Sequence, residues 1–340
     1  MKEAIALVVK GQELSPEIMG RAIRTMMSGE ANDAQIGAFL SALSIKGASG
    51  GEISAAGQVM RELMIVQPLP AGGPWIDVVG TGGDGMSLFN VSTASALVAA
   101  SAGVKIAKHG NVGVSSSSGS ADLLKTAGYN LNIQGAALKN LMERSNFGFM
   151  FAPNHHRAMG HVAPARRAIG IRTIFNILGP LANPAQVQHM VLGVYSQELQ
   201  ELYAAVGQAL GLQHLWVIHS ADGLDELSVC APSTVLELKD GQLRRFTINP
   251  QDYGLNYDNY DGLRVSSGEE SLALLRAVLQ GKGPAPACDL VALNAAPLFL
   301  LAGQDSELGT AIDRAKGLIH RGDAWQHFEK IIAISKELAP

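Results

Sequence analysis

Hydrophobic side chains recur at helical spacing through the first 66 residues of the chain. Ile36, Phe39 and Leu43 illustrate the interval of three or four positions, which places apolar residues on one face of a helix. No strand-like alternation interrupts this block. The pattern predicts an all-helical N-terminal domain, followed by a linker rich in proline and glycine at residues 68–74.

Polar residues at the expected helix starts support this prediction. Two pairs have the three-residue spacing of a capping box, in which each side chain bonds the backbone N–H of the other residue. A third signal is a capping serine followed by proline at the first helical position. In chain order, these signals are Ser15 before Pro16, Asn32 with Gln35, and Ser49 with Glu52.

The pattern changes after residue 74. Short apolar runs typical of buried strands alternate with helical stretches, and this order predicts a mainly parallel sheet with helices on both faces. Near the end, Asp240-Gly241 separates two further runs and predicts a hairpin. The predicted strands are residues 75–79, 104–107, 147–151, 191–195, 215–219, 235–238 and 243–248, and predicted helices include 93–101, 121–128 and segments that begin near 269 and 305.

Composition fits an α/β fold, with a small all-helical N-terminal domain and a large domain whose mainly parallel sheet is flanked by helices. The chain has 340 residues, of which 47% are hydrophobic, so it can bury a large core. A net charge of −4 without a long basic run argues against a nucleic-acid partner. We expect no membrane span and no signal peptide. Cys230 and Cys288 lack metal-binding spacing, which suits a reducing cytoplasm.

A glycine-rich loop follows the first predicted strand, from Gly80 to Gly85. Its spacing, G-x-G-x-x-G, is that of dinucleotide-binding folds, which also need an acidic residue about 20 positions further on. Neither aspartate nor glutamate occurs between Asp84 and Asp122, and the predicted helix does not begin at the last glycine. The loop is therefore predicted to bind a different anion through its backbone N–H groups.

A second polar loop follows the second predicted strand. It reads Lys108-His109-Gly110-Asn111 and leads into Ser115-Ser116-Ser117-Ser118-Gly119-Ser120. Either loop alone would more often be a tight turn with capping serines. Two such loops on neighbouring strands, the second with a lysine, favour a ligand that carries phosphate at two places. Oxygen donors at Asn90, Ser92 and Thr93 would suit Mg²⁺ that arrives with such phosphates.

Two adjacent carboxylates, Asp225 and Glu226, follow the predicted strand at 215–219. Loops after parallel strands gather at one edge of a sheet, where ligands bind. The pair is a candidate Mg²⁺ site. A solvated acidic turn explains the same two residues equally well.

Six segments occur in the order found in one known family. They are Gly-Thr-Gly-Gly-Asp at 80–84, Asn-x-Ser-Thr at 90–93, Lys-His-Gly-Asn at 108–111, Ser-Gly-Ser-Ala-Asp at 118–122, the run at 172–184, and Asp-Glu-Leu-Ser at 225–228. Over almost its whole length, the chain resembles the anthranilate phosphoribosyltransferase family. The resemblance implies transfer of phosphoribosyl from 5-phosphoribosyl 1-pyrophosphate to the amine of anthranilate, with release of pyrophosphate, in tryptophan biosynthesis.

The resemblance also implies a domain division, a cofactor and an assembly. Residues 1–70 would form the small helical domain, which would also receive about 164–184. Residues 71–163 and 185–340 would form the α/β domain that binds the phosphoribosyl donor. Mg²⁺, as two ions, would be the cofactor, and the protein would form a homodimer through its small domain.

Site roles are implied residue by residue. Donor binding is implied for Gly80, Gly82, Gly83, Asp84, Asn90, Val91, Ser92, Thr93, Lys108, Asn111, Ser115, Ser116 and Ser120. Metal binding is implied for Ser92, Asp225 and Glu226, and anthranilate binding for Gly80, His109, Asn111, Arg166 and Gly179. Within the donor set, the glycine loop would hold the pyrophosphate.

The chemistry of the implied reaction agrees with these roles. Negative charge develops on the departing pyrophosphate, and Mg²⁺ with Lys108 would neutralise it. The aniline nitrogen binds protons weakly, so positioning matters more than a strong base, and we expect no nucleophilic triad. For His109, a structural role and a general-base role both stay open. Arg166 is either a bidentate partner of the anthranilate carboxylate or a surface arginine beside Arg167.

Two positions depart from the family pattern. Val112 stands where an arginine is usual, and Leu88 stands where a threonine is usual. Both changes remove a polar or charged group beside the donor, so we expect weaker donor affinity.

Two alternative functions stay open at this point. A pyrimidine nucleoside phosphorylase-like enzyme would attack the same sugar carbon, but Asn111 and Arg166 on the anthranilate side argue against it. An inactive, family-like binding protein is disfavoured by the negative net charge, which does not suit nucleic acid, and by the intact pair of carboxylates.

Overall fold

Four helices form the N-terminal block. The computed structural model describes residues 1–113 and 118–338. The first helices are α1 (Lys2–Val8), α2 (Pro16–Met27), α3 (Asp33–Lys46) and α4 (Gly50–Leu63). The three predicted caps all form, two of them as capping boxes, so the predicted starts of α2, α3 and α4 are confirmed.

A seven-stranded sheet lies at the centre of the remaining chain. Its strands are β1 (Trp75–Gly80), β2 (Lys105–Gly110), β3 (Phe147–Phe151), β4 (His189–Gly193), β5 (His214–Ser220), β6 (Ser233–Lys239) and β7 (Gln242–Ile248). They lie in the order β3-β2-β1-β4-β5-β6-β7. The first five in this order are parallel, and β6 and β7 add an antiparallel hairpin. The predicted sheet and hairpin are therefore confirmed.

Of the seven strands, β2 and β4 differ most from the predicted bounds. β2 continues through Lys108, His109 and Gly110, which the sequence pattern places in a loop, and these residues pair with β3. β4 begins at His189, two residues before the predicted start, and His189 pairs with both neighbouring strands. The reason is the same in both cases: a ladder of backbone hydrogen bonds includes polar residues that a search for apolar runs omits.

Eleven further α-helices follow the N-terminal block within the described residues. They are α5 (Val91–Ser101), α6 (Ser120–Thr126), α7 (Gly135–Ser145), α8 (Ala152–His155), α9 (Ala163–Ile169), α10 (Ile174–Leu181), α11 (Glu198–Ala209), α12 (Gly268–Leu279), α13 (Ala285–Leu301), α14 (Leu308–Arg321) and α15 (Asp323–Glu337). The sequence pattern did not predict α7 or α13. Most side chains of α13 are buried, so it lacks the polar face that makes a helix visible as a periodic pattern.

The chain crosses between the two parts of the molecule more than once. After the sheet has begun, α9 and α10 return to pack on α3 and α4 of the N-terminal block. The exact division at residues 70, 163 and 184 stays a prediction. In the described part of the chain, no helix combines the length and the apolar character that crossing a membrane requires.

The strand order determines where a ligand site can form. The connection from β1 leads to β2 on one side, while β4, which arrives later in the chain, pairs with β1 on the other. At such a reversal the loops after neighbouring parallel strands diverge and leave a crevice at their carboxyl ends. The two loops identified in the sequence both begin at this edge.

Candidate active site

A cleft of about 370 Å³ opens at the carboxyl ends of β1 and β2. Its walls come from the loop after β1, the start of α5, the end of β2, the loop after β5 and one face of α10. Segments far apart in the sequence therefore meet in a single concave site, which is the usual form of a small-molecule site.

Glycines shape the loop after β1. Gly82, Gly83 and Gly85 have φ angles of 66°, 84° and 73°, a region in which other residues are strained. The N–H of Gly82 donates to Asp225 Oδ2 at 2.9 Å. A Cβ on Gly80 would lie 2.5 Å from that same oxygen. Glycine at these positions lets the backbone lie directly against the carboxylate.

Three carboxylates converge beside this loop. Asp225 and Glu226 lie half-buried in the loop after β5, within electrostatic reach of Asp84. Burial raises the pKa of Asp225, and the charge of Asp84 raises it further. Burial likewise raises the pKa of Glu226, with repulsion from both aspartates, while the Lys108 ammonium lowers it. Such an excess of negative charge is relieved by a divalent cation, so these residues fit an Mg²⁺ site.

Lys108 places a buried ammonium at the base of the cleft. The residue is 2% exposed, and its Nζ donates to Val78 O at 2.5 Å and to Ser92 Oγ at 3.2 Å. Burial lowers its pKa, whereas the carboxylates of Asp77 and Glu226 raise it. The lysine is therefore held by the neighbouring strand and helix, with the carboxylate pair close by.

Asp77 is a buried residue of the site that the motifs in the sequence did not reveal. Its Oδ1 accepts a hydrogen bond from His109 N at 3.1 Å, and its Oδ2 accepts one from Asn183 Nδ2 at 2.7 Å. Burial raises the pKa of Asp77 to about 6, against the opposing charge of Lys108. A single carboxylate inside an otherwise apolar strand is the signal that could have identified it.

Asp122 holds the two ends of the serine-rich loop together. Its Oδ2 accepts hydrogen bonds from Gly113 N at 2.7 Å and from Gly119 N at 2.9 Å. A Cβ on Gly119 would lie 2.3 Å from Gly113 N, so the two ends touch. The aspartate stands in the Ser-Gly-Ser-Ala-Asp segment, but its role is visible only in the folded chain.

Asn90 ties this loop to the start of α5 and to α12. Its Oδ1 accepts hydrogen bonds from Ser118 Oγ at 3.2 Å and from Ser271 Oγ at 2.8 Å. Its Nδ2 donates to the carbonyl of Ser118 at 3.2 Å. Asn90 is therefore a connecting residue as well as a cleft residue.

Histidine and arginine side chains lie on the α10 side of the cleft. His109 is 6% exposed, and its ring centroid lies 5.3 Å from that of His156. Burial lowers the pKa of His109 well below its ordinary range, and a hydrogen bond to the backbone of Gly179 only partly opposes this. Arg166 Nη2 donates to Asn176 Oδ1 at 3.3 Å, and Asn176 lines the cleft. His109 is therefore neutral near pH 7.

The structure brings most of the predicted site residues to the wall of this cleft. Thr93 is fully buried in α5, and Arg166 lies behind Asn176, so neither is part of the wall. The predicted donor ligands Ser115 and Ser116 lie outside the described residues. The predicted residues on the wall are Gly80, Gly82, Gly83, Asp84, Asn90, Val91, Ser92, Lys108, His109, Asn111, Ser120, Gly179, Asp225 and Glu226.

Both departures from the family pattern border the cleft. Val112 is 45% exposed there. Leu88 forms a backbone bridge with Arg264, whose Nη1 donates to Met86 O at 2.7 Å. The edge of the donor region is thus apolar at the two positions where the family pattern is polar.

Comparison with known proteins places both parts of the chain in one family. The family described as glycosyl transferase family, helical bundle domain, matches residues 2–64, and its a/b domain matches residues 72–325. The fold, the cleft and these matches together define a two-domain glycosyltransferase.

Related sequences identify the family to which this glycosyltransferase belongs. The chain is 46% identical over 312 residues to the anthranilate phosphoribosyltransferase of Chromohalobacter salexigens, a match that covers 92% of this chain and 90% of the relative. It is 45% identical over 327 residues to that of Legionella pneumophila, with 96% and 94% covered. The chain belongs to the anthranilate phosphoribosyltransferase family.

Solved structures agree with this assignment. The structure of the enzyme from Thermus thermophilus matches with a TM-score of 0.90 at 37% identity, covering 98% of this chain and 99% of the other. The enzyme of Saccharomyces cerevisiae, solved in complex with PRPP and Mg, matches with a TM-score of 0.89 at 29% identity, covering 98% and 97%. The predicted family and fold class are confirmed.

Proposed function

We propose that the cleft binds 5-phosphoribosyl 1-pyrophosphate between its two loops. The pyrophosphate would lie on the side of residues 80–85, and the 5-phosphate on the side of residues 118–120. As a member of its family, the protein transfers the phosphoribosyl group to the amine of anthranilate and releases pyrophosphate. The observation that carries the proposed binding mode is that Lys108, Ser92 and the carboxylate pair meet between the two loops.

Individual donor contacts follow from this orientation. The backbone N–H of Gly83 would bind pyrophosphate oxygens, and Gly82, whose own N–H is donated to Asp225, would line the same side of the cleft. Hydroxyl groups at the other end, among them that of Ser120, would bind the 5-phosphate. The remaining predicted donor ligands are Gly80, Asp84, Asn90, Val91, Ser92, Thr93, Lys108, Asn111, Ser115 and Ser116.

Mg²⁺ is the proposed cofactor, bound as two ions. Ser92 would hold one ion, and Asp225 with Glu226 would hold the other. Bound Mg²⁺ would neutralise charge on the departing pyrophosphate. In support, Asp225 and Glu226 have raised pKa values, and the yeast relative was solved with PRPP and Mg. Because the carboxylates supply only part of an octahedral shell, donor oxygens and water would complete it.

Lys108 contributes a fixed positive charge from the protein itself. Its ammonium is already desolvated and held by Val78 O and Ser92 Oγ, so it need not reorganise when the pyrophosphate acquires charge. A preorganised cation of this kind stabilises the transition state more than a flexible surface lysine would. We therefore assign Lys108 to stabilisation of the leaving group.

The acceptor would bind between β2 and α10. Arg166 has N–H groups left for the anthranilate carboxylate besides the one that it donates to Asn176. Gly80, Asn111 and Gly179 would surround the ring. His109, which is buried and neutral, would serve as a wall of this pocket, and its low pKa makes it a weak general base.

Assembly as a homodimer through the small helical domain is also proposed. Val9 and Ile45 are 68% and 89% exposed on that domain, and Ile171 is 49% exposed close to it in the fold. Exposed apolar side chains that together form one patch mark a protein–protein interface, and we propose that these residues contribute to one. Light scattering should give twice the chain mass of 35.7 kDa, and Ile45→Asp should halve it. A monomeric wild type would contradict the proposal.

The two cysteines indicate the kind of cellular compartment in which the protein works. Cys230 and Cys288 are both free thiols in the structure. Free thiols are usual in reducing compartments, and we propose that the protein works in the cytoplasm.

One assay tests the proposed function directly. The protein is mixed with the donor, Mg²⁺ and anthranilate, and the loss of anthranilate fluorescence is compared with the pyrophosphate released. We expect the two to match one to one. Arg166→Ala should raise the KM for anthranilate more than the KM for the donor, whereas the exposed neighbour variant Arg167→Ala should change neither. Folded protein without loss of fluorescence would contradict the proposed function.

A further inference from the structure

Arg172 connects three separate parts of the molecule. It lies just before α10, and its guanidinium reaches the glycine loop, where Nη2 donates to Gly83 O at 3.2 Å. The same guanidinium stacks 4.5 Å above the ring of Tyr195, which follows β4. Its backbone carbonyl accepts a hydrogen bond from Ser44 Oγ of α3 at 3.0 Å. One residue thus links the helical block, the glycine loop and the sheet edge.

The contact with the glycine loop is close. A Cβ added to Gly83 would lie 1.6 Å from Arg172 Nη2, so the guanidinium occupies the space that a side chain would need. Gly83 has a φ of 84°, and glycine in such a loop has many alternative conformations of similar energy. The observed conformation therefore depends on contacts from outside the loop.

Two such contacts hold the loop at two consecutive residues, Gly82 and Gly83. Asp225 accepts from the N–H of Gly82, and Arg172 donates to the carbonyl of Gly83. The carboxylate is part of the proposed metal site, but the arginine is not on the wall of the donor cleft. Arg172 instead lines an adjoining pocket of about 190 Å³ together with Tyr195, Ser44 and other residues of the helical block.

On the basis of the proposed function, we propose that Arg172 is a positioning residue for the donor's pyrophosphate. It holds the glycine loop in its binding conformation, and through Ser44 it makes that conformation depend on the position of the helical block. The stacking on Tyr195 fixes the guanidinium plane, which directs the N–H towards Gly83. Arg172 does this without contacting the substrate.

The proposal predicts a selective effect on the donor. If the loop adopts its binding conformation for only about a tenth of the time without Arg172, the apparent donor affinity falls about tenfold. Anthranilate binds beyond the other wall of the cleft, so its KM should change less than about twofold. Because Arg172 is exposed, its loss should leave the fold and its thermal stability intact.

The experiment compares Arg172→Ala with Arg167→Ala, which removes an exposed arginine nearby. Both KM values, kcat, Tm and calorimetric donor affinity are measured for each variant and for the wild type. We expect a donor KM raised about tenfold in Arg172→Ala alone, at unchanged Tm. A donor KM within about twofold of the wild type, or an equal rise in both KM values, would overturn the proposal.

A second pair of variants tests whether stacking on Tyr195 orients the guanidinium of Arg172. Tyr195→Leu removes the ring face and should reproduce part of the Arg172→Ala effect, whereas Tyr195→Phe should behave like the wild type. In the double variant the effects of Arg172→Ala and Tyr195→Leu should not add, because both act on one guanidinium. Additive effects would overturn the role proposed for Tyr195. Wild-type protein that neither binds the donor nor turns over would overturn the proposed function itself, and this inference with it.

Discussion

The described parts of the two cleft loops are held by different contacts. The loop after β1 has glycines with positive φ and is fixed from outside, by a carboxylate on one side and an exposed arginine on the other. The loop after β2 follows buried Lys108 and His109, which are held by Val78 O and Asp77, and Asp122 ties its ends. The conformation of the first loop therefore depends on contacts from other segments of the chain. The second loop begins beside the buried charged residues Lys108 and Asp77.

This difference matches what each loop is proposed to bind. Pyrophosphate leaves in the reaction, so a loop whose conformation can change suits its binding and release. The 5-phosphate stays on the sugar throughout, and a site held by buried residues suits a group that serves as an anchor. Substitutions on the two sides of the cleft should accordingly have different effects.

The largest effect is expected from the buried lysine. Lys108→Met removes the preorganised cation but keeps much of the side-chain volume. We expect kcat/KM for the donor to fall by about 100-fold or more, the scale seen when one preorganised transition-state donor is lost. Lys125→Met, at an exposed position of α6, is the matched control and should leave kcat/KM unchanged. A loss of less than about fivefold in Lys108→Met would contradict the role assigned to this lysine.

Buried charge on the second side also predicts a pH dependence of stability. Because burial raises the pKa of Asp77 to about 6, the native state binds this proton more tightly than the unfolded state does. Stability should therefore fall as the pH rises from about 4 to about 6, by roughly 3 kcal/mol from this residue, and should then level off. Asp77→Asn cannot titrate and should lack this contribution.

Chemical denaturation at a series of pH values measures this contribution. The free energy of unfolding of the wild type minus that of Asp77→Asn should decrease across the interval from about pH 4 to about pH 6. Asp261→Asn, at an exposed position, should follow the wild type throughout. Equal pH slopes in the wild type and in Asp77→Asn would show that the carboxyl does not carry the effect.

On the side of the first loop, replacing Gly193 of β4 should reduce stability, although this glycine lies outside the loop and does not have a positive φ. A Cβ on Gly193 would lie 1.4 Å from Asp225 O, so Gly193→Ala must displace the backbone of the proposed metal loop. We expect a loss of about 1–3 kcal/mol in stability, the range for overpacking, together with a raised donor KM. Gly309→Ala, whose nearest neighbours lie at 3.9 Å, is the control. Unchanged Tm and donor KM in Gly193→Ala would count against the described geometry.

The smallest effect is expected at a departure from the family pattern. Val112→Arg restores a cation at the edge of the second loop. Since the position is 45% exposed, solvent screens the new charge, and we expect the donor KM to fall only about threefold. Val112→Gln, which is polar but uncharged, should have less effect. A donor KM in Val112→Arg equal to that of the wild type would show that the missing arginine does not weaken donor binding.

Local patterns in the sequence predicted much of this architecture. The caps of α2, α3 and α4, the parallel strands and the Asp240-Gly241 hairpin each follow from a few neighbouring residues. The helix α13 was missed because a helix that is buried on all sides has no polar face. Segment motifs likewise identified most of the cleft wall.

Contacts between distant residues could not be predicted in this way. Asp77 and Asn183 are 106 positions apart, and Gly82 and Asp225 are 143 positions apart. The link between Arg172 and Gly83 spans 89 positions. No local pattern indicates that these groups will meet, since their approach depends on the strand order and on the return of α10 to the helical block. The residues that position the site were therefore visible only in the fold.

Binding of the two halves of the donor, measured separately, distinguishes the roles proposed for the two loops. Calorimetry would use pyrophosphate with Mg²⁺ and ribose 5-phosphate as ligands, with Asp225→Asn and Asp122→Asn as variants. We predict a crossed pattern: Asp225→Asn weakens pyrophosphate binding about tenfold and spares ribose 5-phosphate, and Asp122→Asn does the reverse. If each variant weakened both ligands alike, the assignment of one loop to each end of the donor would be contradicted.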